Sequence, residues 1–184
     1  MEIRRIAGAL GAEILGVDLS AQLSAETVEA IRQAYLEHLV IFFRDQTLDA
    51  PAYLRFAHLM GTPVEYPFVK GIDGYPEIIE VLKLEHERTN FGGVWHSDTA
   101  YLDEPPKGSM LLARQIPPYG GDTLFANQYL AYDGLSDGMK RMLDPLVAVN
   151  SSAKADVSRT REDRLRDSAR DDARAAGLRA CVTR

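Results

Sequence analysis

Cysteine is almost missing from this sequence. Cys181 is the only one in 184 residues, so no disulfide can form within the chain, and a reducing cytoplasm is the expected compartment. Long apolar runs are absent too: no stretch of about 18 residues is hydrophobic enough to cross a membrane as a helix. Arg4 and Arg5 near the N-terminus are not followed by an apolar segment with a small-residue cleavage site, and secretion is not expected. Positive charge is scarce, with 21 Lys and Arg against 27 Asp and Glu. Residues 1–152 hold 12 basic and 21 acidic side chains, and residues 153–184 hold 9 and 6. An acidic body argues against non-specific nucleic-acid binding. The mixed-sign tail reads as a solvated helix, with contact to an acidic partner as the alternative. Histidine is rare as well: His38, His58, His86 and His96 are the full set, and none follows Asp98.

What is present suits one soluble domain with a sizeable core, at 46% hydrophobic and 26% charged residues. Met1–Leu19 reads as two short strands around a glycine turn. Ser24 caps a helix of about four turns whose inner face is Val28, Ile31, Ala34, Tyr35 and His38. Leu39–Phe43 is a continuous apolar run, expected as a strand buried on both faces. A second helix spans about Ala50–Met60, stopped by Gly61 and Pro63, with His58 on its outer side. Further strands are expected at Ile78–Leu82, Gly108–Ile116 and Asp122–Ala126, the last entered through the Gly120-Gly121 turn. Helices follow at about Gln128–Asp133 and Asp137–Leu143, with Ser136 as cap. Short strands at this spacing suit a double-sheet β architecture.

The chemistry concentrates in Trp95-His96-Ser97-Asp98. On a strand, His96 and Asp98 point to one face and Ser97 to the other. An imidazole and a carboxylate converging in this way are two ligands of a 2-His-1-carboxylate triad, which suits non-haem Fe(II) with open positions for a co-substrate and O2. Taken alone, His-x-Asp is equally a surface pair or a helix cap. His86 lies in a charged loop and is not expected to be a ligand; His38 reads as packed or capping.

The neighbouring blocks narrow the choice. Pro105-Pro106-Lys107-Gly108-Ser109 and Gly120-Gly121-Asp122-Thr123-Leu124-Phe125, together with Trp95–Asp98, resemble the taurine dioxygenase/TfdA family of Fe(II)- and 2-oxoglutarate-dependent dioxygenases. The resemblance runs from the N-terminus to about Arg166. It implies an α+β fold built on a double-stranded β-helix (jelly roll) with flanking helices. It also implies His96 and Asp98 as metal ligands and Thr123 as a hydroxyl contact to 2-oxoglutarate, although a strand threonine would also fit. Tyr66 and Asn90 are the candidate substrate contacts, with packing and loop hydrogen bonding as their alternative roles. Taurine itself fits poorly, because the loop Glu65–Lys70 has no histidine. A small organic anion, whether sulfonate, sulfate ester or carboxylate, is the expected substrate class.

The family takes a distal His and a 2-oxoglutarate-binding Arg from later strands, and here no His follows Asp98. The expectation is therefore 1–166 as the N-terminal portion of a dioxygenase domain, incomplete at its C-terminus. Residues 167–184 are expected to be a divergent tail, helical or disordered, produced by a frameshift or premature stop. The expected partners are a small-molecule substrate and O2, with neither nucleic acid nor membrane; a homo-oligomer is compatible with the sequence. Two functions compete: a dioxygenase that does not turn over as this chain alone, and a non-catalytic remnant or binding module.

Overall fold

The computed structural model describes residues 1–83, 94–152 and 181–183, which fall into two compact units. The first comprises Met1–Thr62 and Leu111–Pro145. Its N-terminal hairpin pairs β1 (Glu2–Arg5) antiparallel with β2 (Ala12–Leu15), so that Arg4 stands opposite Glu13. Gly11, at φ +98°, supplies the left-handed backbone that brings the chain into β2. Helix α1 (Ala25–His38) begins where the Ser24 side chain accepts the Thr27 N–H, satisfying one of the first-turn donors. Val28, Ile31, Ala34 and His38 recur every three or four residues and form its buried face, as the spacing predicts. The helix ends at Leu39, whose φ of +66° is the left-handed cap more often given to glycine, and whose N–H bonds to the Tyr35 carbonyl.

The run Leu39–Phe43 corrects one expectation. Only Ile41–Phe42 forms a strand, β3, which pairs parallel with β2 at the sheet edge and is half-buried rather than covered on both faces. Helix α2 (Ala50–Met60) starts at an Asp49 cap and buries Ala52 and Phe56, with Phe43 edge-on to Phe56 at 5.9 Å. His58 is exposed and His38 buried, as expected. Short helices α3 (Gln128–Asp133) and α4 (Asp137–Leu143) follow, capped by Asn127 and Ser136. The Asn127 amide also donates to the Ala9 carbonyl at 2.7 Å, tying this segment to the hairpin turn.

The second unit comprises Pro63–Met110 and the chain from Leu146 onward. It contains Phe68 and Val69 as buried apolar residues, and a two-stranded antiparallel ribbon of β4 (Ala148–Asn150) and β5 (Cys181–Thr183). Strand β5 departs from the expected helical or disordered tail at those three residues; residues 167–180 and Arg184 lie outside the described residues. The strands expected at Ile78–Leu82, Gly108–Ile116 and Asp122–Ala126 are not formed among the described residues. No ladder of strand hydrogen bonds forms along them among the described residues, and a strand exists only where a neighbour accepts that ladder. The described architecture is mixed α and β, with a three-stranded sheet and a separate two-stranded ribbon.

Candidate metal centre

The site is built in the second unit, by a turn rather than by a strand. Trp95–Ser97 carry no strand pairing, and the chain turns at Asp98–Tyr101. Leu102 N–H closes the turn on the Thr99 carbonyl at 3.0 Å. Thr99 adopts φ +46°, a left-handed conformation that is strained for a β-branched residue, and its hydroxyl is buried without a hydrogen-bond partner. His96 and Asp98 stand two positions apart where the chain enters this turn, with His96 Nε2 3.0 Å from Asp98 Oδ1 and both side chains half-exposed.

Each member of the pair is held by its other polar atom. His96 Nδ1 lies 2.7 Å from the Val94 carbonyl. A carbonyl only accepts, so Nδ1 carries a hydrogen and donates; Nε2 faces the Asp98 carboxylate and offers its lone pair to a cation when it carries no proton. Asp98 Oδ2 accepts a hydrogen bond from Ser109 Oγ at 2.6 Å, which leaves Oδ1 turned toward the imidazole. Two lone-pair atoms so placed suit a shared cation. Donors held side by side by an octahedral divalent ion at about 2.1 Å stand about 3.0 Å apart. The observed separation meets that condition, and an outward imidazole N–H on a backbone carbonyl is the usual support of a metal-bound histidine. The pair therefore fits a metal, but only as part of its ligand set: among the described residues no group of three His, Cys, Asp or Glu gathers.

Tyr66 lies in the same unit. It packs edge-on to Phe68 at 5.9 Å, and Phe68 packs in turn on Tyr101 at 5.9 Å, so an aromatic ladder backs the turn that carries Asp98. Burial first, then the Tyr66 phenol and the Asp98 charge, raises the Tyr101 hydroxyl far above its ordinary range and keeps it protonated. Thr123 belongs to the other unit, where it is exposed beyond Gly120 and Gly121. Those glycines have φ of +78° and +72°, the tight turn read from the sequence. Asn90 and His86 lie outside the described residues. Reading the sequence missed Ser109, Thr99 and Tyr101. Ser109 closes the Pro105–Ser109 block that carries the resemblance, but nothing local connects it to a carboxylate eleven positions earlier.

Residues 2–179 match the family described as taurine catabolism dioxygenase TauD, TfdA family. The chain belongs to the TauD/TfdA family. The matched span continues past Arg166, beyond the stretch to which the resemblance was traced in the sequence. Among TauD/TfdA relatives, the alpha-ketoglutarate-dependent sulfate ester dioxygenase of Pseudomonas putida is 39% identical over 173 residues, covering 90% of this chain and 56% of its own. An alkylsulfatase of Acinetobacter baylyi is 40% identical over 153 residues, covering 83% and 47%. The crystal structure of a taurine dioxygenase from Burkholderia xenovorans superposes with a TM-score of 0.65 at 32% identity, covering 81% of this chain and 52% of that one. The chain thus spans about half the length of the relatives it matches.

Proposed function

We propose that this chain is part of an Fe(II)- and 2-oxoglutarate-dependent dioxygenase that hydroxylates a small organic anion. The observation that carries the reading is the Nε2–Oδ1 approach of 3.0 Å between His96 and Asp98, each with its second polar atom engaged. His96 and Asp98 would hold the metal. The metal and 2-oxoglutarate, when bound, supply the oxidising chemistry. The protein's part is orientation: the Val94 carbonyl fixes the imidazole, Thr123 would donate its hydroxyl to a 2-oxoglutarate carboxylate, and Tyr66 and Asn90 would meet the substrate's anionic group. Sulfate esters lead the substrate classes, supported by the relatives named for sulfate esters and alkyl sulfates. In this reading the whole protein completes a jelly roll around the site and works in the cytoplasm. O2 and the small molecule are its partners, with neither nucleic acid nor membrane, and a homo-oligomer fits.

A second reading for these 184 residues taken alone is a binding module that keeps the His96–Asp98 pair without turnover. Succinate release from 2-oxoglutarate, measured with Fe(II) and a panel of alkyl sulfates, sulfonates and carboxylates, separates the two. Substrate-stimulated, His96-dependent succinate supports the enzyme reading. Metal uptake without succinate supports the module, and failure of both overturns the metal centre.

A further inference from the structure

We propose that Ser109 is a positioning residue for the metal pair, holding Asp98 to a single coordinating oxygen. The inference deepens the metal-site reading and rests on it. A carboxylate offers two oxygens, and a free one can swing to bind a cation through both. Here Oδ2 accepts a hydrogen bond from Ser109 Oγ at 2.6 Å, a short contact of the kind formed by a hydroxyl with a charged acceptor. Oδ1 alone then faces His96 Nε2 at 3.0 Å. The Val94 carbonyl performs the equivalent service for the imidazole, through the backbone. Ser109 is the side-chain member of the two supports and hence the one that substitution can remove.

The consequence reaches function. A carboxylate bound through one oxygen leaves one more position on the ion than a chelating one, and a 2-oxoglutarate site needs its open positions. Ser109 follows the Pro105-Pro106-Lys107-Gly108 stretch and is itself exposed, without strand pairing. An exposed hydroxyl contributes little to folding, so its removal should register at the metal and not in the stability of the chain.

The test is an anaerobic Mn(II) titration of the chain, its Ser109→Ala variant and its Ser109→Thr variant, following loss of the free-ion resonance. Metal-free melting and the Co(II) visible spectrum are recorded alongside. Ser109→Ala should weaken Mn(II) binding about ten-fold, the lower end of what loss of such a supporting hydrogen bond costs. It should also change the Co(II) band intensity as the second oxygen enters, with metal-free melting unmoved. Ser109→Thr, which keeps the hydroxyl, should restore both. Unchanged affinity in Ser109→Ala, with the parent binding Mn(II), overturns the role of Ser109 and leaves the metal centre standing. A matching loss of metal-free stability that threonine does not rescue makes Ser109 structural and overturns the proposal. No Mn(II) uptake by the parent overturns the metal centre and this proposal with it.

Discussion

Glu13 is the most constrained charge in the first unit. It is buried on β2, receives Arg44 Nε at 2.8 Å, and pairs with Arg4 across the hairpin. The Arg44 hydrogen bond first, and the Arg4 hydrogen bond second, hold its carboxyl below the ordinary value of 4.5. A depressed carboxylate stabilises the fold above its unfolded pKa, and that contribution is lost as pH falls through the folded value. Acid unfolding of the parent should therefore steepen below about 4.5, and Glu13→Gln should flatten the profile there while lowering stability at neutral pH. A Gln variant with the parent's acid slope would remove Glu13 from the account. At this scale the sequence disclosed part of the site. His96-x-Asp98 can be read because two ligand types sit two positions apart. Thr99's left-handed backbone and Ser109's hydrogen bond cannot, because each is set by contacts that the local spacing does not encode.

Helices were legible almost to the residue, and the reason is local. Their hydrogen bonds close within four positions, and their caps lie one residue outside, so Ser24 and Ser136 mark the starts of α1 and α4 from sequence alone. Strands need a partner that the sequence does not name. Ile78–Leu82 and Gly108–Ile116 carry apolar residues suited to a sheet, yet neither forms a strand among the described residues. Even Leu39–Phe43 is shortened, since β2 pairs with only two of its residues. The helix core makes the element-scale prediction. Ile31 is fully buried on the face of α1 that packs on the sheet, so Ile31→Ala should cost about 2–5 kcal/mol in chemical denaturation. A loss below about 1 kcal/mol, closer to that of a surface substitution, would mean that α1 is not packed as described.

Over the whole molecule, apolar surface is the outstanding property. In the first unit Leu111, Ile116, Tyr119 and Leu124 are exposed, Tyr119 at 87%; in the second, Val94 and Trp95, just before His96, are exposed as well. No helix among the described residues is long and apolar enough to cross a membrane, so this surface does not belong to a membrane-spanning helix. Exposed apolar groups, where they are contiguous, form interaction, ligand-binding or aggregation-prone surface. The chain should bind a hydrophobic dye in its folded state and scatter light increasingly with concentration, and Leu124→Lys together with Tyr119→Lys should reduce both. A dye-silent, concentration-independent chain would show that these side chains are covered in solution.

The central proposal is that His96 and Asp98 are two of the three protein ligands of a metal and 2-oxoglutarate centre. Its most direct test is an anaerobic titration with Fe(II) and 2-oxoglutarate, watching for the visible charge-transfer band of the chelated ion. The account predicts a band in the parent that disappears in His96→Ala and in Asp98→Ala. No band, or one that survives both substitutions, would contradict it.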